Sequence, residues 1–184
     1  MTLPRFLELE PAAQLYVAQL SASLLLATLL PALAFGLPDD AKQLIVVDSL
    51  YNELLFDQGL FVYRGTAEQP ARITQGSLEI SGIEIRLEKA SDGSLRKVTV
   101  TGTPARFQQQ PAAEQEIVHA SGLTIVFDNG AQLLTLDESA ELSQAGNVLT
   151  HQHIEYNLET RSASSSGSDE AQGRMTFPAP VDSN

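Results

Sequence analysis

Residues 73–87 read ITQGSLEISGIEIRL, and this stretch decides the fold. Leu78 and Ile80 alternate with Glu79, the two-residue period of a strand with one buried face. The apolar residues then continue as Ile83, Ile85 and Leu87, on odd rather than even positions. A bulge or tight turn is required at Ser81-Gly82, because an uncorrected one-residue slip would send every later apolar side chain to the wrong face.

The same pattern extends along the chain. Beyond Lys42 no window carries apolar residues at i, i+3, i+4 and i+7. Short alternating runs recur instead, between turn signals such as Asp57-Gln58-Gly59, Gln75-Gly76, Ser91-Asp92-Gly93, Gly102-Thr103-Pro104, Ser121-Gly122, Asp128-Asn129-Gly130 and Gly146-Asn147. This predicts an all-β chain built as a meander, sandwich or jelly roll. Asp57-Gln58-Gly59 recurs as Asp128-Asn129-Gly130, and at the same offset Ile83-Glu84-Ile85-Arg86-Leu87 recurs as Ile154-Glu155-Tyr156-Asn157-Leu158, so the strands fall into two loosely repeated halves.

A chain of 184 residues is long enough for one domain with a real core, and 43% apolar against 18% charged residues is a globular balance. The formal charge of −12 argues against nucleic acid as a partner. The absence of cysteine removes disulfides, thiol nucleophiles and thiolate metal sites.

From Ala18 to Leu33 there is no charge, and Ala32-Leu33-Ala34 is the small-x-small pattern of a cleavage site, so residues 1–34 read as a signal peptide. The run is shorter than the ~20 residues of a membrane span, and Pro31 interrupts it; a retained anchor is the second reading. Cleavage would remove one positive and two negative charges (Arg5, Glu8, Glu10) and leave −11. Residues 35–161 then form the β domain. Residues 162–184 are small, polar and proline-punctuated, and are expected to remain a disordered tail, with Met175-Thr176-Phe177 able to dock as a short strand.

The common catalytic signatures are missing: no G-x-S-x-G elbow, no glycine-rich phosphate loop and no H-E-x-x-H pair. His151 and His153, two apart on a strand, would face one side, but two imidazoles do not make a metal site. Glu84 with Glu88, and Glu114 with Glu116, read as solvated β-face carboxylates rather than acid/base pairs. Arg64, Arg72, Arg86 and Arg106 read as rim or cross-strand charges. The positive feature is apolar: Ile45, Val47, Phe61, Tyr63, Ile73, Leu78, Ile80, Ile85, Leu87, Val98, Phe107, Leu123, Ile125, Leu134, Leu136, Leu142, Leu149, Ile154 and Tyr156 all fall on alternating, inward-reading positions. They form either an ordinary core or the lining of an apolar slot for a lipid.

The succession AKQLIVV (41–47), DQG (57–59), YRG (63–65), ITQGSLEISG (73–82), GTPARF (102–107), ASGLTI (120–125) and AGNVLTHQHIEY (145–156) resembles the LptA/OstA family of periplasmic lipopolysaccharide-transport proteins. The chain departs from that pattern at Glu68-Gln69-Pro70-Ala71, which look like an insertion, at Leu44, where the family often has Pro, and at His151, where Gly is common. The resemblance implies an open, V-shaped antiparallel β-jelly roll whose inward residues line a groove for lipid A acyl chains, with no cofactor, metal or catalytic residue. It also implies head-to-tail joining with further copies, an inner-membrane-anchored partner of the same fold at the N-terminal edge strand near Leu44 to Asp48, and the periplasmic domain of an outer-membrane translocon at the C-terminal edge near Ile154 to Glu159.

Physics is consistent with that implication. Hydrocarbon bared to water costs about 0.8 kcal/mol per methylene, so a carrier of several acyl chains must offer continuous apolar surface. Inward side chains of successive strands supply it, while anionic head groups are repelled by the acidic protein and protrude into solvent. The competing expectations are an envelope β-sandwich that binds protein and no lipid, the membrane-anchored relative of the same pathway, and a hydrolase working through Glu84 and Glu155.

Overall fold

The computed structural model describes residues 37, 39–167 and 172–179; the expected signal peptide lies outside them. The described residues contain no α-helix, only two 3-10 turns, Asp40–Lys42 and Phe56–Gln58. Twelve strands follow in order: β1 (Val46–Asp48), β2 (Tyr51–Leu55), β3 (Leu60–Arg64), β4 (Ala71–Gln75), β5 (Leu78–Gly82), β6 (Glu84–Lys89), β7 (Leu95–Gln109), β8 (Val118–Asp128), β9 (Leu133–Gln144), β10 (Asn147–Asn157), β11 (Ser162–Ser166) and β12 (Arg174–Thr176). All belong to one sheet, and every pairing is antiparallel.

The sheet is creased. The parity change read at Ser81-Gly82 is a break at Ile83, where β5 ends and β6 begins on a different set of neighbours. Gly82 permits the break: a Cβ there would lie 2.6 Å from the Thr101 carbonyl oxygen. The longer strands are interrupted in line with it, between Thr101 and Ala105, between Ser121 and Thr124, and between His151 and His153. Opposite Gln152, Glu138 and Ser139 take the left-handed conformation, with φ of 61° and 57°. Each bulge re-aims the strand, so both sides of the crease keep their apolar residues on the inner face.

Two eight-stranded half-sheets result. One runs β1-β4-β5-β7-β8-β9-β10-β12 and the other β2-β3-β6-β7-β8-β9-β10-β11. In the path, β1–β2, β3–β4 and β5–β6 make three successive passes across the crease, as do β8, β9 and β10. The first set is cut at the crease, whereas the second runs through it on bulges. Residues 68–71, read above as an insertion, lie at one cut, in a turn closed by Thr66 N–H to Gln69 O at 2.8 Å and entering β4 at Ala71.

The C-terminal reading is corrected. Ser162–Ser166 pairs with β10 residues 153–157, and Arg174–Thr176 pairs with residues 148–150, so the stretch expected as a tail supplies two strands. Ser-Ala-Ser-Ser-Ser buries no side chain, and its strand rests on the unpaired amides and carbonyls of β10, which composition does not register. The C-terminal edge is therefore β11 and β12, not β10.

Candidate functional site

Cross-strand neighbours arrange the inner face into three ladders. On the first half-sheet Val47, Ile73, Ile80, Phe107, Ala120, Leu142, Leu149 and Met175 lie side by side from edge to edge. On the second, one ladder runs Leu54, Phe61, Leu87, Val98, Phe127, Leu134, Tyr156, Ala163. The other runs Tyr63, Ile85, Val100, Ile125, Leu136, Ile154. Their central members are fully buried, Ile85, Leu134, Leu136 and Ile154 at 0% exposure, so each half-sheet covers the other. Burial pushes the Tyr63 and Tyr156 hydroxyl pKa values up and keeps both neutral.

Most of the expected lining residues sit on these ladders. Leu78 is buried one row beyond, beside Gln75, and Ile45 is half-buried just before β1. Leu123 differs from the other expected lining residues: it is 37% exposed at the crease, where it faces the extra residues of β7 and β9. Sequence reading passed over Val100 and Phe127, although each stands two residues beyond a residue it singled out, and over Met175, which was assigned to the tail. The sheet is open at its edges, while the interior between its halves is covered.

Three polar groups punctuate this apolar surface on the first half-sheet. Gln75, 3% exposed, donates from Nε2 to the Gln43 carbonyl at 3.3 Å. Gln109 is 4% exposed, and its Nε2 has no acceptor among the described residues. His151 pairs with Ala140 on the inner parity, and its Nδ1 is likewise buried without a partner. His153 pairs with Asp137 on the outer parity, because the register shifts at Gln152, which faces two β9 residues, Glu138 and Ser139. The register thus gives the two imidazoles opposite parity, although both border one cleft at the crease with Asp137, Glu138 and Ser166, and the described residues contain no group of three or more His, Asp or Glu side chains arranged for a metal ion.

The N-terminal segment clamps the end of this half-sheet. Asp40, 5% exposed, accepts from the Leu37 backbone N–H at 3.2 Å and from the Ser77 hydroxyl, whose oxygen accepts from Gln110 N–H at 3.2 Å. Gly76 makes room: its φ is +58°, and a Cβ there would stand 2.1 Å from Asp40 Oδ1.

The outer face is polar and paired. Glu84 is bridged by Arg64 and Arg86 at 2.5 and 2.7 Å. Burial raises its pKa, but the two arginine hydrogen bonds outweigh that and hold it below the ordinary carboxylate value. Glu88 pairs with Arg96, Glu79 with Arg72, and the Arg64 guanidinium lies 5.2 Å from the Tyr51 ring centre. Arg106 and Arg72 line a notch of about 260 Å³ on this side. At the sheet edges the character reverses. Leu44, Val46, Leu50 and Tyr51 are exposed around β1 and β2, and Met175 and Phe177 around β12.

The family described as LptA/(LptD N-terminal domain) LPS transport protein matches residues 49–162, the stretch that carries the crease and nearly all of the ladders. This chain belongs to that family. Among relatives of this LptA/LptD-N chain, the lipopolysaccharide export system protein LptH of Pseudomonas aeruginosa is 31% identical over 156 residues, covering 85% of this chain and 86% of LptH. The lipopolysaccharide export system protein LptA of Haemophilus influenzae is 28% identical over 141 residues, 76% of this chain and 79% of that protein. The crystal structure of P. aeruginosa LptH, described as the LptA-homologous periplasmic component of the conserved lipopolysaccharide transport device, superposes with a TM-score of 0.67 at 28% identity, over 77% of this chain and all of that one.

Proposed function

We propose that this LptA/LptD-N chain is a periplasmic lipopolysaccharide carrier that holds the lipid by its acyl chains between the two half-sheets and joins end to end with copies of itself and with same-fold partners at both membranes. The observation that carries the reading is the continuity of two ladders, Val47 to Met175 and Leu54 to Ala163, from one open edge to the other, with the Tyr63 to Ile154 ladder buried beside them. Parting the half-sheets along the crease would exchange side-chain hydrocarbon for acyl hydrocarbon, so loading costs little, whereas a closed empty state keeps the ladders from water. The acidic exterior favours head groups that stay in solvent.

Strand count supports the joining. Each half-sheet holds eight alternating strands, so a second copy stacked in the same orientation brings its β1 to β12 and its β2 to β11 in antiparallel pairing. With β10 as the last strand the count would be odd and that junction parallel. Such contacts are heterologous and need not close, which suits a bridge of variable length. The inner-membrane partner would meet β1 and β2, and the outer-membrane translocon β11 and β12.

Photo-crosslinking tests the carrier reading. A photoreactive residue at Ile80 or Leu136 should label with lipopolysaccharide, and one at Glu79, on the outer face, should not. Equal labelling at all three positions would leave the envelope protein-binding module as the better account.

A further inference from the structure

Gln109 is a buried donor in a surface that otherwise has few. It follows Ala105 and Phe107 on the inner parity of β7, pairs with Val118, and has no acceptor for Nε2 among the described residues. Its neighbour in kind, Gln75, is bonded to the Gln43 carbonyl, while the Gln109 backbone is held by its pairing with Val118 and by the Gln110 N–H bond to Ser77. A buried amide left unsatisfied penalises the closed state, and a ligand that brings an oxygen to it relieves that penalty. Plain hydrocarbon cannot do this. An acyl chain can, through its ester or amide carbonyl or a chain hydroxyl.

We propose that Gln109 is a specificity residue of the carrier, donating from Nε2 to an acyl carbonyl or hydroxyl oxygen and thereby fixing how deep the chains enter the first half-sheet. This rests on the carrier reading and adds the chemistry it selects: oxygen-bearing acyl chains over bare alkyl chains. The contact stands at the end of the half-sheet clamped by Asp40, away from the crease, where the chain stems approach their head group.

The test compares binding of lipid A with that of an ether-linked analogue lacking acyl carbonyls and hydroxyls, in the full chain and in Gln109→Met. The wild type should prefer lipid A by about tenfold, the value of one hydrogen bond to a buried donor, and Gln109→Met should lose that preference by binding lipid A more weakly. Its thermal midpoint should equal or exceed the wild type's, since the orphaned amide is gone; a purely structural glutamine would give a lower one. If Gln109→Met does not fold, Gln109→Leu, which also lacks the donor, is read in the same way. Equal wild-type affinity for both lipids, or an undiminished preference in Gln109→Met, overturns the assignment while leaving the carrier reading intact. Binding of neither lipid removes the carrier reading and this assignment together.

Discussion

His153 Nδ1 lies 2.6 Å from Asp137 Oδ1 across the β9–β10 pair, and its Nε2 is 3.6 Å from Glu155. The hydrogen bond to Asp137 raises the imidazole pKa above its ordinary 6.5; burial opposes it, and the nearby Asp137 and Glu155 charges reinforce it. A folded pKa above the unfolded one means that the pair's contribution is fully present below the unfolded value and is lost as pH rises through the folded value. The groups are a third or more exposed, which limits the effect to at most about 1 kcal/mol. His153→Gln should lower the urea midpoint at about pH 5.5 and differ little from wild type at about pH 8.5. The same difference at both pH values would show that protonation is not involved.

The buried ladders make a sharp stability contrast. Leu136→Ala, at a site with 0% exposure, should cost about 2–5 kcal/mol in denaturant unfolding. Leu123→Ala, exposed at the crease of the same sheet, should cost under about 1 kcal/mol. Comparable losses would mean that Leu123 is packed inside rather than exposed at the crease.

Gly76→Ala meets two obstacles, a left-handed φ and the Asp40 carboxylate, whereas Gly93→Ala has φ +85° but open space around it. Gly93→Ala should show only the backbone penalty of about 1 kcal/mol. Gly76→Ala should lose more, and hydrogen exchange should show residues 37–43 unprotected. Retained protection of that segment would count against the clamp.

Edge chemistry should separate assembly from folding. Val46 is exposed on β1, so Val46→Lys should leave the unfolding midpoint within about 0.5 kcal/mol of wild type. Sedimentation velocity over a concentration series should show fewer oligomers, because a lysine on an open edge resists strand addition. Unchanged assembly would place the contact elsewhere.

Alternation over short range was enough to read the strands, the inward parity of Ile73, Ile80, Ile85 and Leu87, and the break after Ser81-Gly82. The same signal failed at His151 and His153, because the register between them is shifted by an extra residue on the partner strand, at Glu138-Ser139, which His-Gln-His does not record. It failed at Leu123 for the same reason. It failed again at Ser162–Ser166, where the strand is held by its neighbour's backbone rather than by its own side chains.

What the amino-acid sequence determined alone was local and periodic: which residues pleat, which face they favour, and the family whose motifs they carry in order. Tertiary structure decided where successive bulges line up into one crease, which strands end the sheet, and which inward polar atoms, Gln109 Nε2 and His151 Nδ1, are left without a partner among the described residues. Those outcomes depend on register between strands far apart in the chain, and register is set only when both strands are present.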